Sequence, residues 1–289
     1  MSDYAHLSRQ ATIASVAVAL ILIIAKTWAY WSTGSVSLLG SLLDSMLDGV
    51  TSIINFIALR FALVPADEDH KFGHGKLESI AALAQSAFMV GSAVVLVLNS
   101  FDVMLDNRQM VNSEIGIAVS VLAIVLTLGL VAFQKYVISK SKSLIVEADS
   151  LHYQGDLLMN GAVLIAMALV GFGWYWIDAI MAIGIGVFLC VNAWHVGIKA
   201  FKELMDEQLP EVEAIIEKLV RKEPGPEGCH DVRCRQSGPD LFIQFHLELD
   251  KNLPLWSAHE IGDRVEKKIK QAYPNADVIV HHDPVSVER

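Results

Sequence analysis

The sequence has 289 residues, of which 53% are hydrophobic, and its mean hydropathy is +0.44. A chain this apolar is not expected to be one soluble fold, so membrane-spanning segments are predicted. The formal net charge of −10 argues against nucleic acid as a partner, because the phosphate backbone would repel it, and suits cationic partners. The three cysteines form no CxxC pair and indicate no disulfide framework.

The apolar residues concentrate before residue 205 in stretches long enough for helices that cross the hydrocarbon core, which takes about 20 residues. The first stretch is too long for the core of a signal peptide and more stretches follow it, so we interpret it as a retained helix. Six spans are predicted, near Ala11–Trp31, Ser37–Leu63, Ile80–Val103, Ile115–Val137, Leu144–Phe172 and Ile177–Phe201.

Lysine and arginine predict the orientation, because they concentrate on the cytoplasmic side of membrane proteins. If the N-terminus lies inside, the outer loops contain only Arg108. Lys26 is predicted near the outer end of the first span, where its long side chain can extend to the interface. Both termini are therefore expected in the cytoplasm. The inner flanks would contain Arg9, Arg60, Lys71, Lys76, Lys135, Lys140, Lys142, Lys199 and Lys202.

After Pro210 the pattern is that of a soluble domain. Residues 241–249 alternate between apolar and polar side chains, which indicates a half-buried strand. The other predicted elements are helices at Glu211–Lys222 and Trp256–Ala272 and short strands at Asp231–Arg235 and Asp277–His281.

The order α-β-β-α-β predicts a small, metallochaperone-like α+β domain. The predicted architecture is therefore an α-helical membrane protein with six transmembrane helices at residues 1–206, followed by a cytoplasmic α+β domain at residues 207–289.

Two pairs of ionisable residues interrupt the second and fifth spans. Asp44 and Asp48 are four residues apart, as are His152 and Asp156. Side chains at i and i+4 share one face of a helix, so two such pairs facing each other would form a four-ligand cage. Toward the cytoplasmic end of the fifth span, Asp149 and Glu147 could attract ions to this cage.

One imidazole and three carboxylates suit zinc, and also cadmium or cobalt, better than magnesium or calcium. Neither of these two spans supplies a lysine or arginine inside the hydrocarbon region to neutralise the acids. The alternative is that the four residues are isolated polar groups that mediate helix contacts or line a proton wire.

The motifs "SLLDSMLDG" and "SLHYQGDLLMNG" resemble those of the cation diffusion facilitators. So do "GSVSLL", "HKFGHGKLES" and "LMDEQLP", in the same order. The resemblance implies a homodimeric antiporter, without enzymatic activity, that exports zinc in exchange for protons by alternating access. The implied transport site is Asp44, Asp48, His152 and Asp156. In this family a histidine at the first of these four positions is linked to tighter zinc selectivity, and because Asp44 is an aspartate, cadmium is not excluded as a substrate. A loop without histidines between the fourth and fifth spans favours a bacterial member, in the inner membrane.

Two further sets of candidate metal ligands lie outside the spans. Asp67, His70 and His74 repeat at spacings of three and four between the second and third spans, and the resemblance places a zinc site on them. The alternative is a hydrated acidic loop. In the soluble domain, the resemblance implies a binuclear zinc site, for which the alternative is a set of ordinary surface histidines. Its implied ligands are His230, His246, His259, His281 and Asp283, with His282 the least certain candidate nearby.

The resemblance also implies a charge interlock between Lys76 and Asp206 at the dimer interface, although a solvated ion pair is an alternative. Three other functions remain open from the residues alone. An intramembrane aspartyl protease would need signatures that this sequence lacks. A passive metal channel would need no proton gradient, and a membrane-tethered sensor would bind metal without moving it.

Overall fold

A computed structural model describes residues 3–33, 36–105, 114–170 and 177–285. The chain divides into two compact units, Met1–Phe201 and Lys202–Arg289. The predicted domain boundary between residues 206 and 207 stays a prediction.

Within the described residues, the first unit contains six long helices, the last of which continues into the second unit. They are α1 (Asp3–Thr33), α2 (Val36–Ala62), α3 (Lys76–Leu105), α4 (Glu114–Ser141), α5 (Leu144–Val170) and α6 (Ile177–Leu204).

Five of the described helices, α1, α2, α3, α4 and α6, are long and apolar enough to cross a membrane, as judged by length and composition alone. Helix α5 is not among these five; it is 27 residues long and contains Glu147, Asp149 and Asp156. The predicted span Leu144–Phe172 is therefore not confirmed, and a total of six spans remains a proposal. Residues 171 and 172 of that predicted span, and Arg108, lie outside the described residues.

Many large apolar side chains on the helices of the first unit are exposed, and small residues are among those buried between the helices. Leu98 and Val125 are 60% and 61% exposed, whereas Ala93 is buried. This distribution suits a bilayer, where helices associate through close packing rather than through hydrophobic burial. Gly155 shows why small residues are needed: a Cβ atom there would lie 2.9 Å from a methyl carbon of Leu189, so glycine lets α5 approach α6.

The second unit contains the α-β-β-α-β order that the sequence predicts. The elements are α7 (Pro210–Arg221), β1 (Gly228–Ser237), β2 (Asp240–Leu249), α8 (Leu255–Ala272) and β3 (Ala276–Pro284). Strand β2 is central, antiparallel to β1 and parallel to β3, which α8 precedes.

The two helices of this unit pack on one face of its sheet. Ile216 of α7 and Ile269 of α8 are fully buried, together with Ile243, Phe245 and Leu247 of β2. Because side chains alternate along a strand, the polar residues of β2 lie on the opposite face, which the helices do not cover.

We predict that Phe245→Ala destabilises the second unit by about 3–5 kcal/mol, because it leaves a cavity in the core. Native-state hydrogen exchange of the full chain measures this as lost protection of the β2 amides. The control is Gln244→Ala, at the neighbouring exposed position, which should change protection by less than about 0.5 kcal/mol. Equal effects of the two substitutions would contradict the assignment of Phe245 to the core.

Candidate metal centres

The first candidate centre lies inside the helix bundle, between α2 and α5. Its side chains line a cavity of about 360 Å³, here called the bundle cavity, to which Asp44, Asp48, His152 and Asp156 all contribute. Since each helix provides its pair one turn apart, both pairs point into the same space, as the i,i+4 spacing predicts.

The structure brings three of these four residues together. The Nε2 atom of His152 lies 2.9 Å from Oδ1 of Asp48 and 3.7 Å from Oδ2 of Asp156. One donor atom from each of the three lies within 4.8 Å of the others. Asp44 does not belong to this group, although it faces the same cavity and is exposed to it. The predicted set of four is therefore present as a cluster of three with Asp44 beside it.

Lys26 also lines the bundle cavity, which the sequence analysis missed. Its side chain is 7% exposed, and its Nζ donates hydrogen bonds to the Ser41 carbonyl oxygen at 3.1 Å and to Ser45 Oγ at 2.6 Å. The expectation that Lys26 extends to the membrane interface is therefore wrong. The signal in α1 is the spacing of three and four residues that places Lys26 on one helix face with Ser15, Ala19 and Leu22, all of which are buried.

Asp149 of α5 is a buried acid, 1% exposed, that accepts hydrogen bonds from side chains of three other helices. Ser15 Oγ donates at 2.6 Å, Gln134 Nε2 at 2.8 Å and Asn55 Nδ2 at 3.0 Å. Asp149 is thus a structural acceptor at the centre of the bundle rather than an exposed attractor of ions. Glu147, which precedes it on α5, instead pairs with the exposed Lys199 at 2.6 Å.

The predicted loop set between α2 and α3 does converge. Asp67 Oδ1 accepts the His70 backbone N–H at 2.6 Å, which lowers the pKa of the Asp67 carboxyl below its ordinary value. Oδ2 of Asp67 lies 3.5 Å from Nε2 of His74, and the two imidazole centroids are 4.4 Å apart. His74 Nδ1 faces the Val64 carbonyl oxygen at 3.4 Å, which leaves Nε2 directed toward the cluster. Gly73, with φ +74°, forms the turn that brings the histidines together.

Four of the five residues predicted for the cytoplasmic site meet on the open face of the sheet. His230, His246 and His281 are direct cross-strand neighbours in one row, with ring centroids 5.0 and 4.6 Å apart. Asp283 lies 2.8 Å from His246, 3.2 Å from His230 and 3.1 Å from His281. Its hydrogen bond with His246 lowers the pKa of the Asp283 carboxyl. Glu248, 3.0 Å from His230, was missed, although its spacing of two from His246 places it on the same face.

His259 lies apart from this row. It is on α8, 3.7 Å from Asp263, and its side chain is 61% exposed. His282 points to the face of the sheet that α8 covers, where burial lowers the pKa of its imidazole. Its Nε2 is packed so closely on Gly262 that any side chain at that position would collide with it. The described residues therefore place neither histidine with the four that converge.

The two residues of the predicted interlock belong to different units. Lys76 begins α3 in the first unit, and Asp206 lies in the second unit, 3.4 Å from Arg235. The interlock between Lys76 and Asp206 stays a prediction.

Two family models match the two parts of the chain. Residues 12–205 match the family "Cation efflux transmembrane domain", and residues 209–285 match "Cation efflux protein, cytoplasmic domain". The chain belongs to the cation diffusion facilitator (cation efflux) family. The cation-efflux pumps FieF of Salmonella choleraesuis (strain SC-B67) and Salmonella typhimurium (strain LT2) are each 47% identical to it over 286 residues, which is 98% of this chain and 95% of theirs.

Family membership confirms the resemblance seen in the sequence motifs. It makes the chain a membrane-spanning efflux transporter of divalent cations with a cytoplasmic domain. Proteins of this family are transporters, and the absence of enzymatic activity stays a prediction.

Solved structures similar to this cation diffusion facilitator cover its cytoplasmic part. One is the putative zinc transporter CzrB in its zinc form, 30% identical, which spans 29% of this chain and 97% of its own, with a TM-score of 0.26. Another is the C-terminal domain of MamM, 21% identical, which spans 26% of this chain and 98% of its own, with a TM-score of 0.25.

Zinc at the histidine row is expected to need Asp283, which contacts all three imidazoles. We predict that Asp283→Asn weakens zinc binding to the cytoplasmic unit at least tenfold, as removal of groups that orient metal ligands does. Calorimetric titration of the full chain with zinc measures the change. The matched control is Asp277→Asn, which removes the same charge from an exposed position six residues earlier on the same strand. Loss of affinity in both variants would show that net charge, rather than this cluster, determines binding.

Proposed function

We propose that the protein is a proton-coupled antiporter that exports zinc, and also cadmium, through the bundle cavity by alternating access. The divalent substrate would bind to Asp44, Asp48, His152 and Asp156. The proposal adds the ion, the coupling and the site residues to the divalent-cation efflux that the family establishes.

The observation that carries the proposal is the spacing of donor atoms around His152 Nε2. Ligands about 2.0 Å from a tetrahedral zinc ion are separated from one another by roughly 3.3 Å. The separations from Nε2 to the Asp48 and Asp156 oxygens are 2.9 and 3.7 Å, on either side of this value. Small side-chain rotations would therefore suffice for these three, and a rotation of Asp44 within the same cavity would supply the fourth ligand.

Proton coupling follows from competition for the same atoms. The Nε2 lone pair of an imidazole holds either a proton or a metal ion, and the carboxylate oxygens likewise. Because an imidazole ordinarily titrates near pH 6.5, it exchanges protons readily at physiological pH. Release of the metal from the bundle cavity would thus be accompanied by uptake of protons at His152 and at an aspartate.

The other two clusters would act outside the transport step. We assign zinc to the loop cluster of Asp67, His70 and His74, and to the histidine row with Asp283. The loop cluster, like His230, His246 and Asp283 of the row, offers imidazole nitrogens and carboxylate oxygens within 4.8 Å of one another, a donor set that fits zinc. His259 lies apart from this row, so it would be a ligand of the proposed cytoplasmic site only if that site extends beyond the row.

The protein would work as a homodimer in the bacterial inner membrane, with α5 completing a set of six spans and with both termini in the cytoplasm. Charge pairing of Lys76 with Asp206 would join the membrane and cytoplasmic parts at the dimer interface. The excess of lysine and arginine on the inner flanks supports this orientation.

We predict that zinc uptake into vesicles reconstituted with the protein requires a pH gradient, with protons moving opposite to the metal. A zinc-sensitive dye and a pH-sensitive dye trapped in the same vesicles measure both fluxes. Full uptake without a gradient and without proton counter-flow would identify a channel. Binding of zinc without any uptake would identify a sensor.

We also predict that Asp48→Asn reduces the uptake rate by at least a hundredfold, since it removes a charged ligand 2.9 Å from His152 Nε2. Asp69→Asn, an exposed loop aspartate outside the proposed ligand sets, is the matched control and should transport normally. The Asp48 variant should still bind zinc at the cytoplasmic row. If calorimetry found its total stoichiometry unchanged, the bundle cavity would not be a metal site.

A further inference from the structure

Lys26 places a fixed ammonium group inside the bundle cavity. The side chain enters the cavity from α1 and the residue is largely buried, with 7% of its surface exposed. Among the described residues that line the cavity, it is the only lysine or arginine, beside the carboxylates of Asp44, Asp48 and Asp156 and the imidazole of His152.

The position of the ammonium is set by two oxygen atoms of α2. Ser41 provides its carbonyl oxygen and Ser45 its hydroxyl oxygen, at 3.1 and 2.6 Å. Ser41, Asp44, Ser45 and Asp48 are spaced three and four residues apart, so they share one face of α2. The lysine is therefore held on the same helical face that presents the two aspartates to the metal.

We propose that Lys26 is a resident counter-cation of the transport site, which partly neutralises the carboxylates when the metal is absent and weakens metal binding so that the ion can leave. This inference rests on the proposed transport function. Lys26 is a positioning and affinity-setting residue and does not ligate the metal.

The proposed role of Lys26 depends on its charge rather than on its hydrogen bonds alone. A neutral amide could donate to Ser41 and Ser45 equally well, so helix packing does not require an ammonium at this position. Burying a charged amine is costly unless an opposite charge compensates it. The acids of the bundle cavity provide that compensation, and a divalent cation arriving among them is repelled by the same amine, more strongly in a low-dielectric interior than in water.

The test compares Lys26→Gln, which keeps hydrogen-bond donors and removes the charge, with Lys26→Arg, which keeps the charge. Zinc uptake by reconstituted vesicles is measured over a range of zinc concentrations under one fixed pH gradient. We expect the half-saturating zinc concentration of Lys26→Gln to fall at least tenfold and its maximal rate to fall as well, because tighter binding slows release. Lys26→Arg should stay within about threefold of the unmodified protein. Lys140→Gln, which removes an exposed lysine at the end of α4, should not change either quantity.

An unchanged or higher half-saturating concentration in Lys26→Gln would overturn the proposal, since damage to packing alone would raise it or lower only the rate. Lys26→Met, the second neutral variant, should show the same fall. If neither neutral variant folds while Lys26→Arg does, the charge serves folding and the proposal also fails. Failure of the proposed function would give a different result. In that case the unmodified protein would take up no zinc, or its zinc uptake would persist in Asp48→Asn.

Discussion

The compensation of buried negative charge is the constraint on which the helix bundle depends. An aspartate at the centre of a membrane-spanning helix costs about 2.5–3.5 kcal/mol if nothing compensates it. Asp48 and Asp156 lie near His152, and Lys26 faces the same cavity with Asp44. These acids are therefore tolerated only together with groups that can carry positive charge. In the proposed transport cycle a divalent cation is the strongest such group, and protons and the lysine are the ones that remain when it leaves.

Asp149 shows the other solution to the same problem. Its two oxygens accept hydrogen bonds from Ser15, Asn55 and Gln134, which belong to α1, α2 and α4. With its acceptors occupied by uncharged donors, this carboxyl is locked into the bundle. Since His152 lies three residues further along α5, the contacts of Asp149 also fix the rotation of α5 and hence the direction in which His152 and Asp156 point. One acid is satisfied and structural; the others are left incompletely satisfied beside an open cavity, as a binding site requires.

The sequence predicts those parts of the site that depend on periodicity within one element. The i,i+4 pairs place Asp48, His152 and Asp156 correctly, because helical geometry alone decides which side chains share a face. The direction of Lys26 was misjudged because α1 is mostly apolar, although the buried Ser15, Ala19 and Leu22, spaced three and four residues apart, mark the helix face that Lys26 shares. The separation of Asp44 from the cluster, like that of His259 from the histidine row, depends on how neighbouring elements are packed. Asp149 was misjudged because its partners lie on three helices distant in sequence.

The two kinds of centre differ in rigidity, and the difference matches their proposed roles. The histidine row is built on three strands of one sheet, where hydrogen-bonded register holds His230, His246 and His281 opposite one another. Ligands on such a frame are organised in advance and favour tight, lasting binding. In the bundle cavity the ligands come from α2 and α5, joined by side-chain contacts rather than by a shared backbone ladder. A small displacement of one helix would separate Asp48 from His152 and open the cluster. A transport site must release what it binds, and a centre divided between two helices, with a lysine beside it, is suited to do so.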